Sequence, residues 1–161
     1  FDDVFAVTAR TAHNWVWNPY SKHYGMKDDL DNCWCDIVLH TDHAQRSNTP
    51  RDIFAVRNTV NRGPLMMDHA ELNSMRYFDE EFEPQDMDDH DLMHRVYKTL
   101  NKVCGCYWID FESEDAWGGT RVSGEPAPWL YKAHHKNSKI FYDRHRDLIN
   151  SPNHNEDRVL K

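Results

Sequence analysis

Apolar residues recur along much of this chain at helical spacing. Over 87–103, Leu92, Val96, Leu100 and Val103 follow a period near 3.6, with Met93 and Tyr97 beside them. Asp86, Asp88 and Asp89 stand at the start of that stretch and Lys98 and Lys102 near its end, as a helix dipole favours. Residues 50–62 read as a second helix. Thr49 is a suitable cap, Pro50 suits the first turn, Ile53, Phe54, Val56 and Val60 form the stripe, and Gly63-Pro64 stops it. Over 27–45, Leu30, Cys33, Trp34, Ile37, Val38 and Thr41 fall on one helical face. Shorter helices are expected at 3–16, 68–78 and 138–150. Tyr107-Trp108-Ile109 suits one short strand. The stretch 112–127 carries Gly118-Gly119, Gly124 and Pro126, with Pro128 just beyond, and reads as one long loop. The expectation is a mainly α protein: a single domain over 1–161 with five to seven helices.

The length of 161 residues suits one domain able to bury a sizeable core. Nothing approaches 18 consecutive apolar residues and mean hydropathy is −0.88, so no membrane span is expected. Lys plus Arg is 19 against 27 Asp plus Glu, a net charge of −8. That balance argues against nucleic acid as a partner, since phosphate binding calls for a basic excess or stripe. Protonating all 11 histidines would bring the charge to +3, so the sign of the net charge reverses on mild acidification.

The sharpest chemical pattern is Asp86, His90 and His94. Spacing by four places all three on one helical stripe, and two histidines at i and i+4 can chelate one metal ion with a carboxylate as third ligand. The stripe lies roughly 100–140° from the apolar centre near Val96 and Leu100, which puts it at the edge of the polar face. Asp36, His40 and His43 form a second such set on the 27–45 helix. One transition-metal ion (zinc, iron or copper) is the cofactor these sets would take. A carboxylate-bridged di-iron centre is disfavoured because the chain has no E-x-x-H.

The four cysteines stand as two C-x-C pairs, Cys33/Cys35 and Cys104/Cys106, compatible with two disulfides, free buried thiols or a zinc site. The acidic run from Asp79 to Asp91 fails as an EF-hand, because no glycine stands at the sixth loop position; a solvated acidic face is expected instead. His134-His135, Arg144, His145 and Arg146 make the last third the most basic region, suited to an acidic partner or to the chain's own acidic segment. Of the six tryptophans, Trp34 fits a core stripe, while Trp117 and Trp129 suit an exposed contact patch. Nucleotide-cradle, zinc-protease, hydrolase-elbow and c-type haem signatures are all absent. The chain begins at Phe1 with no signal-like segment; a removed leader and a fragment both fit, as do secreted, organellar and cytoplasmic locations.

Two functions follow as expectations. The first is a non-catalytic interaction or accessory subunit of a larger assembly with a protein partner. The second is a metal-binding helical protein (carrier, oxygen or redox protein, or metal-assisted hydrolase) built on the histidine stripes.

Overall fold

The computed structural model describes residues 2–8, 12–18, 23–27, 54–60, 65–107, 128–149 and 159–160. In chain order the elements are β1 (Val4–Thr8), β2 (Ala12–Asn18), β3 (His23–Lys27), β4 (Phe54–Arg57), β5 (Thr59–Val60) and β6 (Leu65–Met67). They continue with α1 (His69–Ser74), a 3₁₀ turn (Glu80–Phe82), α2 (Asp88–Leu100), β7 (Val103–Tyr107), α3 (Pro128–Ile149) and β8 (Val159–Leu160). Strands β6-β1-β7-β4 form a mixed sheet, with the short β8 at its edge. Only β1 and β7 run parallel; β6 on β1, and β4 on β7, are antiparallel. A smaller antiparallel sheet has the order β3-β2-β5.

The fold is therefore a mix of helices and sheet, which overturns the mainly α expectation. The expected helix over 3–16 is strands β1 and β2. Val4, Phe5, Val7 and Thr8 are β-branched or aromatic, the types that pack best on a pleated surface. The expected helix over 50–62 is β4 and β5, joined at Asn58. Phe54 and Val56 pack together with Val103 on one face of the sheet, while Val60 joins the cluster on the other. Four apolar residues satisfied both the 2 and the 3.6 period, and strand pairing with β7 decided between them. The expected strand lies four residues earlier, as β7. The preceding helix stops at Leu100 because Asn101 adopts a left-handed backbone, φ 54°, and Val103 then starts the strand. The expected helices at 68–78 and 138–150 are present as α1 and α3, but α3 begins ten residues sooner. Pro128 occupies its first turn, where a missing N–H is harmless. The 27–45 helix and the 112–127 loop lie outside the described residues.

The helix α2 packs its Leu92, Met93 and Val96 against Phe5, Ala6, Val60 and Cys104 of the sheets. Full burial of each such aliphatic side chain contributes about 1.5–3 kcal/mol. On the far side of α2 a second cluster, Phe82, Met87, Phe141 and Ile149, joins α3 to the segment between α1 and α2. This sandwiching of α2 between a sheet and a helix creates the environment of the histidines.

Candidate functional site

Sequence periodicity placed His90 and His94 at the margin of a polar face. Both are instead buried, as are Asp89 and Asp91, because α3 covers the side of α2 that faces away from the sheet. Asp86 does not share the stripe. It precedes the helix with φ 80°, and its carboxylate pairs with His134 of α3. Asp86, His90 and His94 are thus not brought together. Asp36, His40 and His43 lie outside the described residues. Among the described residues no group of three His, Cys, Asp or Glu side chains is arranged to hold a metal ion.

What sequence reasoning missed is Asp91, the centre of the polar cluster. Its carboxylate is 0% exposed and receives three donors. Arg95 Nε donates to Oδ2 at 2.7 Å, His145 Nε2 to Oδ1 at 2.8 Å, and Arg144 Nη1 to Oδ1 at 3.2 Å. Burial pushes the Asp91 carboxyl up, but the hydrogen bonds from His145 and Arg95 and their charge outweigh it and hold the group below the usual carboxylate range. An ionised carboxylate only accepts, so Nε2 of His145 carries the proton of that bond. The backbone leaves helical geometry at His145, φ −120° and ψ 15°, where the ring turns into the core. The available signal was the i, i+4 pair Asp91/Arg95 on a helix already identified; the partners on α3 meet it only through the fold.

The other two arginine ends reach the segment between α1 and α2. Arg95 donates to the carbonyls of Met75 (2.7 Å) and Tyr77 (2.8 Å). Arg144 donates to Asp79 (2.8 Å) and to Glu81, with its guanidinium 5.1 Å above the Phe82 ring. The N–H of Glu81 and the Arg144 guanidinium hold the Asp79 carboxyl below its ordinary value. Asn137, fully buried, donates to the carbonyls of Phe82, Gln85 and Asp86. Lys136 reaches the carbonyls of Glu81 and Glu83. Residues 76–87 include four non-glycine residues at positive φ (Arg76, Tyr77, Asp86 and Met87), each adding to the cost of that path. Side chains of α2 and α3 supply the donors that a regular element would have supplied itself. The basic last third therefore docks part of the chain's own acidic segment: Asp89 and Asp91 are buried, while Glu80, Glu81 and Glu83 stay on the expected solvated face.

Three histidines close the cluster. His90 Nδ1 lies 2.7 Å from Asp89 Oδ1, and His94 Nδ1 donates to the His90 carbonyl at 3.0 Å. The rings of His90, His94 and His145 pack around Phe141 at centroid distances of 6.0, 5.0 and 5.2 Å. The Asp91–His145 pair has the connectivity of a catalytic acid–base dyad. His145 is only 2% exposed, and its bond to Asp91 ties α3 to α2.

The outer surface of α3 is the opposite case. Trp129 is 52% and Tyr131 55% exposed, on either flank of the buried Leu130. Lys132, His135, Lys136 and Lys139 complete the exposed arc, and Pro128–Tyr142 contains no Asp or Glu. Trp117 lies outside the described residues. Cys104 is a free, buried thiol 3.2 Å from the Arg57 carbonyl, so no scheme of two disulfides using all four cysteines holds. No described helix is long and apolar enough to cross a membrane. No family model matches the chain, and no curated protein or solved structure matches it significantly.

Proposed function

We propose that this chain is a non-catalytic interaction domain whose contact surface is the outer arc of α3, and that its partner presents an acidic segment. The observation that carries this reading is the exposure of Trp129 and Tyr131 among lysines on a helix arc free of acids, in a chain of net charge −8. Half-exposed aromatics lose apolar surface to water on binding and anchor contacts at small entropic cost. The basic side chains around them steer an acidic partner and fix its register. The buried cluster behind the arc holds α3 rigid, which lowers the ordering cost of association.

A photo-crosslinking residue placed at position 129 tests the reading, with the same residue at exposed Glu80 as control. In native extract, one adduct specific to position 129 is expected, and Trp129→Ala with Tyr131→Ala should abolish its competition by unlabelled protein. No adduct at 129 beyond those at 80 would overturn the assignment.

A further inference from the structure

Arg57 ends β4 in the interior of the fold and is the largest fully buried side chain, 2% exposed. Its strand partner is Cys104, so it shares the sheet face that Cys104 presents to Leu92, Met93 and Val96 of α2. The guanidinium makes one hydrogen bond among the described residues, from Nη1 to the carbonyl of its neighbour Val56, at 3.0 Å. Nε and Nη2 are buried without a partner, and no Asp or Glu forms an ion pair with the guanidinium among the described residues. A guanidinium stays charged at any physiological pH, so Arg57 is a buried cation without a counter-charge among the described residues. The two unfilled nitrogens form one of the edges of the guanidinium that present two parallel N–H groups, an arrangement that grips two oxygens of a carboxylate or phosphate. The adjoining positions are polar as well: Asn58 and Thr59 follow directly, and Thr8 lies on β1 beyond β7; all three are buried.

We infer that Arg57 anchors an enclosed oxyanion site, in which the Nε/Nη2 edge holds a carboxylate or phosphate group of a small ligand. The site is independent of the α3 surface. It explains why the fold keeps an arginine where an apolar residue would pack without cost. Enclosure makes release slow, so bound anion survives purification in part.

The test uses the whole chain in two steps. Ion chromatography of acid-denatured, desalted protein is expected to release up to one equivalent of oxyanion from wild type and none from Arg57→Met. After unfolding and refolding in chloride, inorganic phosphate and succinate are titrated separately and the thermal midpoint is followed. At a concentration 100 times the dissociation constant, a rise of about 5–10 °C is expected. A response to phosphate alone assigns a phosphorylated ligand, and a response to succinate alone a carboxylate; both uphold the site. Should Arg57→Met fail to fold, Arg57→Lys keeps the charge but loses the fork, and should bind the active anion at least tenfold more weakly. No released anion with no response to either titrant would overturn the proposal. So would equal responses in wild type and Arg57→Lys.

Discussion

Replacing Asp91 by Asn keeps the volume and removes the charge on which three donors converge. The amide offers one acceptor and turns two N–H groups toward Arg95, Arg144 or His145. Breaking a buried ion pair from one side costs about 3–5 kcal/mol. Arg95 and Arg144 are part-exposed and keep the Met75 and Tyr77 carbonyls and the Asp79 and Glu81 carboxylates, which points to the lower end, about 3 kcal/mol. With a urea slope of about 1–3 kcal/mol/M, the unfolding midpoint should fall by roughly 1–3 M at unchanged slope. Asp143→Asn, which removes an exposed carboxylate paired with Lys139 and Arg146, is the control and should not move the midpoint measurably. The pH dependence carries a second signature. Burial opposes ionisation of Asp91, but His145 and Arg95 more than reverse this, so its folded pKa lies below its unfolded one. Its contribution is then fully present above about pH 4 and lost as pH falls from there through the folded value. The variant should lack that part of the acid limb. A midpoint shift no larger than that of Asp143→Asn would refute the buried network.

Asn137→Ala removes the donor to three carbonyls of the 82–86 segment and should cost about 1–3 kcal/mol in urea unfolding; a loss near zero would show that those carbonyls are otherwise satisfied. Leu92→Ala should cost about 2–5 kcal/mol, since the side chain is wholly enclosed between α2 and the sheet, and a value below 1 kcal/mol would contradict that packing. Cys104 should resist iodoacetamide in the native protein and react in urea, as read by peptide mass spectrometry, because burial raises its pKa and closes access; native labelling at the rate of a free thiol would contradict this.

The parts of the fold legible in the sequence were those with one unopposed signal. The α2 stretch carries more than three turns of apolar period with charges matched to its dipole, and it forms where expected. The strands were missed because β1, β4 and β5 are two to five residues long, and each depends on a partner remote in sequence: Val4 on Val103, Phe54 on Tyr107, Ala12 on Val60. At that length a few apolar residues fit either period, and pairing energy decides. The start of α3 was hidden because Pro128 follows Gly and Pro residues that read as loop. The histidines were found but misplaced. Helical rotation places them away from Val96, yet burial depends on what covers the other side, and α3 arrives from about 50 residues away in the chain. The attraction between the acidic run and the basic last third was visible as opposite charge; that Asp91 would be its centre was not, because nothing in one helix shows which of its three aspartates meets the partners on α3.

A double-mutant cycle between Asp91 and His145 tests most directly whether α2 and α3 are joined through this pair. Unfolding free energies of Asp91→Asn, His145→Gln and the double variant would be measured in urea at pH 7. A direct bond between two buried groups predicts that the single losses overlap, with a coupling of about 1–3 kcal/mol. Losses that add to within about 0.5 kcal/mol would mean that the two side chains do not meet, and the account of the site would fall with them.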